Sequence, residues 1–164
     1  MLLSETEETA IIQMVEAAYL AACRSAEGRL GEAITLAWGV CEQLLSISWK
    51  EFIAEASTKS KITGKRRKNL LEGRDYTASV KTEILELNGR FAPDLYSLID
   101  NARKARNDWM HEMKEPNNVQ VLDALHAAEG LLQSALGIQQ VFPMHTPSPG
   151  IPALNYWVWR ERQG

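Results

Sequence analysis

ARNDWMHEMKEP, residues 105–116, closes the helix whose reading decides the fold. Leading into it, Leu95, Ile99, Ala102, Arg106, Trp109 and Met113 are spaced by four, three, four, three and four residues, which places them on one helical face. Pro93 suits the first turn of this helix, and Pro116 is expected to stop it, so the sequence predicts a helix from about Pro93 to Met113.

Working outward, the same periodicity recurs. After Pro116, Asn117 or Asn118 can cap a helix through Val119, Leu122, Leu125 and Leu132 that ends near Gly137. Ahead of Pro93, a helix covers about Ala78 to Arg90. A long one runs from about Leu30 to Ala56 with the stripe Thr35, Trp38, Glu42, Leu45, Trp49, Phe52. The first helix ends near Ala26, opens on an S-x-x-E capping box at Ser4 and Glu7, and aligns Ile11, Val15, Ala18 and Ala22; Gly28 and Gly31 flank the break after it. STKSKITGKRRKNLLEGRDYT, residues 57–77, is polar and glycine-punctuated and reads as a loop, with room for one helical turn at its end. With no internal repeat and no alternating run that demands a sheet, the expectation is an all-α bundle of about five helices over residues 1–138. Residues 139–164, broken by Pro143, Pro147, Pro149 and Pro152, are expected to form an irregular arm. Its Tyr156, Trp157 and Trp159 are too apolar for a free tail, so it is expected to pack on the bundle or on a second subunit.

Composition bounds the possibilities. The 164 residues suffice for one core, and 45% apolar with 24% charged residues is ordinary globular composition. The beginning MLLSETEETAIIQ lacks a basic n-region, and no apolar run approaches membrane-spanning length, so a cytoplasmic protein without a membrane anchor is expected. Cys23 and Cys41 match no metal-ligand spacing and read as buried free thiols. The net charge of −3 is uneven. Lys59, Lys61, Lys65, Arg66, Arg67 and Lys68 fall within ten residues that contain no acid; without them 12 bases face 21 acids. A whole-protein charge attraction to nucleic acid is excluded, whereas a local one is not.

Chemistry concentrates on the helix before Pro116. Arg106 takes a seam position where the pattern calls for an aliphatic residue, and a buried guanidinium must be paired, stacked or facing an anion. Arg103, Asn107 and His111 recur every four residues as a polar column beside it. One reading is a helix C-terminus gathering cations that suit its dipole. That accounts for Arg103, Lys104 and His111 and leaves the seam arginine unexplained.

Arg106-Asn107-Asp108-Trp109-Met110-His111 resembles the R-x4-6-H signature of HEPN domains (higher eukaryotes and prokaryotes nucleotide-binding), and LIDNARKARNDWMHE is similar to versions from prokaryotic defence and toxin systems. The resemblance spans roughly residues 5–138, with its specificity confined to the motif. It implies a metal-independent endoribonuclease that needs no cofactor and whose two motifs face each other in a homodimer built through this helix. Arg106 would then hold the scissile phosphate and stabilise its developing charge. Asn107 would orient the phosphate or the histidine, and His111 would move a proton to or from the 2′-hydroxyl or the leaving 5′-oxygen. Trp109 and Met113 would be either dimer contacts or ordinary core. Arg103 is a supporting candidate. Glu42 and Glu129 interrupt apolar stripes and could pair with Arg106 or Arg103; some HEPN nucleases add an acid from an earlier helix, which favours Glu42. In the branch controlled by an antitoxin that modifies a tyrosine two residues past the histidine, that position is a tyrosine; here it is Met113, so that control is not supported, although another antitoxin or regulatory protein remains a possible partner. The cations Lys59 to Lys68 are either a solvated turn or a phosphate contact that delivers RNA to the cleft. His126 reads as a surface or satisfied histidine, and His145 has no identifiable partner. The alternatives to a nuclease are a non-catalytic HEPN module that binds RNA, nucleotide or protein, and a structural helical adaptor.

Overall fold

The computed structural model describes residues 5–60 and 62–138, with side chains from residue 8 onward. The Ser4–Glu7 capping box, Lys61 and the 139–164 arm with its aromatic residues and His145 lie outside the described residues. The described chain is all-helical: α1 (Glu5–Ala26), α2 (Leu30–Lys59), α3 (Gly64–Glu72), α4 (Ala78–Leu87), α5 (Pro93–Glu112) and α6 (Asn118–Leu136).

The hub is α2, which packs against each of the other five helices. Its buried residues include Ile34, Ala37, Trp38, Cys41, Leu44, Leu45, Ser48 and Trp49, more than a single stripe, because neighbours surround it. Thr35 and Glu42, expected on the apolar face, are exposed. The core line runs one position to the side, through Ile34, Ala37 and Trp38, Cys41, and Leu44 and Leu45. Three contacts fix the register of the helices. The Cys41 thiol meets the Ala124 carbonyl, Asn101 donates to Asp123 at 3.0 Å, and the Ser134 hydroxyl donates to the Arg90 carbonyl at 2.9 Å. With Trp109 against Gly31 and Arg90 paired with Glu55, α5 runs antiparallel to α2 and α6 parallel to it, so the C-terminal end of α5 lies at the N-terminal end of α2.

Two expectations change. Residues 64–72, read as loop, form a two-and-a-half-turn helix, so the described residues hold six helices where about five were expected. Thr63 caps α3 by accepting from the Arg66 amide at 3.3 Å, and the Trp49 indole donates to the Leu70 carbonyl at 2.8 Å. Leu70 and Leu71 pack half-buried on the core. A helix this short and polar shows no apolar period. It is held by contacts from α2, chiefly at Trp49, 21 residues before Leu70.

The second change concerns the end of α5. The helix stops at Glu112, ahead of Pro116, because Met113 turns left-handed (φ 54°). The Met113 amide donates to the Trp109 carbonyl, the bond of an αL cap, and the Lys114 amide donates to the Asp108 carbonyl. Glycine does the same after α6, at Gly137. The Asn117–Gln120 capping box then opens α6, which resolves the choice between Asn117 and Asn118. Both cysteines are free. Cys41 is buried, which pushes its thiol pKa up, while Cys23 is only half-buried. Among the described residues no helix is long and apolar enough to cross a membrane.

Candidate functional site

The last turns of α5 are built on small residues. Ala102 and Ala105 are buried and let α5 approach its neighbours closely. The innermost position in the turn of Arg106 is therefore Ala105, and Arg106 flanks the seam, half-buried, where the sequence suggested that it occupied the seam itself. Trp109 packs partly buried against the core and lies across Gly31 near the start of α2. A Cβ at Gly31 would stand 2.9 Å from the Trp109 Cη2 and nearer still to Cε2 and Cζ2. Glycine here is a requirement of packing, since its φ is unremarkable. The contact fixes the turn that carries the motif.

Arg106 Nη1 donates to Asn107 Oδ1 at 3.2 Å, so two adjacent residues of the motif are joined. Arg106 Nε is buried with no hydrogen-bond partner. Leaving a buried donor unsatisfied costs on the order of 1–3 kcal/mol. Among the described residues no carboxylate pairs with this guanidinium, in contrast to its neighbour. Arg103 pairs with Asp100 at 2.7 Å, and Lys104 reaches the other oxygen of the same carboxylate at 2.7 Å. Burial works against the Asp100 charge, but hydrogen bonds from Lys104 and Arg103 outweigh it and hold the carboxyl below its ordinary value. Arg103 is thus committed to its own helix. His111 is exposed in the last turn, one turn beyond the half-buried Asn107. Met113 is exposed, so it is not core.

Glu42 is exposed on α2, with no hydrogen bond or ion pair to Arg106 or Arg103. Glu129 meets His126 at 3.4 Å. Lys65, Arg66, Arg67 and Lys68 are exposed on the first turns of α3, and Lys59 ends α2. They do not join Arg106 and His111 in one cluster. Trp109 touches α2 at Gly31 and α3 is anchored at Trp49. Those positions are 18 residues apart on a continuous helix, about 27 Å at 1.5 Å per residue. A groove of about 510 Å³ lined by Phe52, Glu55, Lys59, Asn88 and Arg90 also lies at the α3 end, away from the motif. Its rim is held by the Arg90–Glu55 ion pair. Among the described residues no three His, Cys, Asp or Glu side chains gather as a metal site.

Sequence periodicity missed Ala105 as the true seam residue, Gly31 as the seat of Trp109, and Trp49 as the anchor of α3. Only Gly31 left a trace, as a glycine near a helix start. No protein-family model, curated protein or solved structure matches the chain.

Proposed function

We propose that this chain is a metal-independent endoribonuclease of the HEPN type, acting as a homodimer on cytoplasmic RNA in a prokaryotic defence or toxin–antitoxin setting. The observation that carries the reading is Arg106. Its guanidinium is half-buried, tied to Asn107 and without a carboxylate partner on the described chain, and it sits little more than one turn before an exposed histidine. A phosphate supplies the missing anion, and the planar fork of donors suits it. The resemblance of residues 106–111 to the HEPN motif supports the same choice.

The chemistry requires two proton transfers at one phosphate. The ribose 2′-oxygen bonds to phosphorus as its proton passes to a basic imidazole. The bond from phosphorus to the 5′-oxygen breaks as that oxygen takes a proton from an acidic imidazole, leaving a 2′,3′-cyclic phosphate and a 5′-hydroxyl. A single protomer offers one exposed histidine in the motif, so a two-fold pairing of α5 helices would supply the second, and Arg106 from each copy would hold the phosphate. Met110, Met113 and Val119 are exposed apolar side chains at that end of the fold, as a contact between copies would need.

The test is incubation of the protein with structured and unstructured RNAs in EDTA, followed by identification of the new ends. Cleavage with 2′,3′-cyclic phosphate ends, blocked by a 2′-deoxy substitution at the cut, is expected. RNA binding without cleavage would replace the reading with a non-catalytic binding module.

A further inference from the structure

We infer that α3 is a separate phosphate-contact surface, so that the RNA recognised is a strand long enough to span from it to the Arg106–His111 end, about eight nucleotides. The inference rests on the proposed RNA-directed function for the nature of the strand, and on the geometry of α2 for its length.

Three observations carry it. First, α3 is a docked element: Thr63 caps it, and the Trp49 indole, itself packed at a tilt against Tyr76 and Phe52 at ring separations of 5.5 and 5.6 Å, hydrogen-bonds its Leu70 carbonyl. Its cations are therefore held on a rigid support. Second, those cations are available. Lys65, Arg66 and Arg67 form no ion pair with any described residue, and Lys68 reaches Glu72 only at 3.9 Å between two exposed side chains. They also stand at the positive end of a helix with no acid in its first turn, where the dipole disfavours cations. The stability of the fold therefore gives no reason for them to be basic. Third, the two helices dock on α2 in line with one another. Gly31 and Trp49 are separated by 18 residues, and at 100° per residue that is five whole turns. The helix bearing the motif and the helix bearing the cations thus attach to one face of α2, about 27 Å apart. A stacked strand advances about 3.4 Å per nucleotide, so roughly eight nucleotides cover the gap.

The experiment measures binding of unstructured RNAs of 4, 8, 12 and 20 nucleotides by fluorescence anisotropy. It compares the full chain carrying His111→Ala, to prevent cleavage, with the same chain also carrying Lys65→Ala, Arg66→Ala and Arg67→Ala. The first protein is expected to gain affinity steeply between 4 and 12 nucleotides and little beyond. The three added substitutions should weaken binding of the 12- and 20-mers about tenfold or more and lower the salt slope by about 2, at 0.7 per lost contact. The 4-mer should be bound equally by both. An unchanged or higher melting temperature for the triply substituted chain would show that α3 still folds, because alanine favours the helix and relieves the dipole clash. Equal weakening at every length, no effect of the substitutions, or no RNA binding at all would overturn the inference. Binding to phosphatidylserine vesicles in place of RNA would overturn it too. Cleavage by the wild-type chain without length dependence would sink this inference alone; length-dependent binding without cleavage would sink the nuclease reading alone.

Discussion

Adding one methyl group at Gly31 should strain the end of α5 that carries the motif. A Cβ there would lie 2.9 Å from Trp109 Cη2 and closer to two other ring atoms, against about 3.5–4.0 Å for comfortable carbon contact, so the ring would have to retreat by about 1 Å. An indole cannot fold away as a lysine can, and α5 would be pushed off α2 at Trp109. Overpacking of this kind costs about 1–3 kcal/mol. Replacing a helical glycine by alanine returns about 0.5–1 kcal/mol, which leaves Gly31→Ala destabilised by up to roughly 2.5 kcal/mol. The same helix contains its own control. A Cβ at Gly39 meets nothing within 4 Å, so Gly39→Ala should stabilise by about 0.5–1 kcal/mol. Urea unfolding of both variants, with melting temperatures moving about 2–4 °C per kcal/mol at this size, reads the difference. Combining Gly31→Ala with Trp109→Leu should recover part of the loss, a coupling that identifies the ring as the cause. If Gly31→Ala stabilised the protein as much as Gly39→Ala, Trp109 would not be seated on Gly31 and the placement of the motif would be wrong.

Two further outcomes are expected. Met113 adopts a left-handed conformation (φ 54°) while 76% exposed, so Met113→Gly should remove backbone strain at little loss of burial and raise stability by about 1 kcal/mol in thermal unfolding; a lowered melting temperature would contradict the left-handed cap. Asp100 has a folded-state pKa held below its ordinary value by Lys104 and Arg103, against the upward push of burial. Its contribution to stability is therefore complete above the unfolded-state pKa, near 4, and is lost as pH falls through the lower folded value. Asp100→Asn should flatten the acid limb of a melting-temperature profile below about pH 4, and an unchanged acid limb would show that the Asp100 pairs are not made.

Much of the fold was legible because four long helices bury a face against a common core, and burial is what writes a period into sequence. Pro93 at the first turn of α5 and the asparagine cap of α6 were readable for a local reason, since a cap involves residues three apart. The failures share the opposite cause. The helix α3 was hidden because its support comes from Trp49 and Tyr76. Glu42 seemed to break a stripe because α2 is buried over a wide arc, and no single line of spacing three and four describes it. Arg106 was placed one position too deep for a related reason. Two alanines form the seam, and an alanine beside larger residues leaves little signal of which side faces in. The polar group Arg106, Asn107 and His111 was nevertheless legible as residues, because arginine on the flank of a packed face stands out whatever its depth.

The measurement that bears most directly on the proposed function is the rate of RNA cleavage in EDTA by the wild-type chain and by His111→Ala, at matched folding and dimer content. Loss of a proton-transferring imidazole from an exposed site should leave stability unchanged and lower the rate about 10²–10⁴-fold. Equal rates for the two proteins, or no cleavage of any RNA by the wild-type chain, would contradict it.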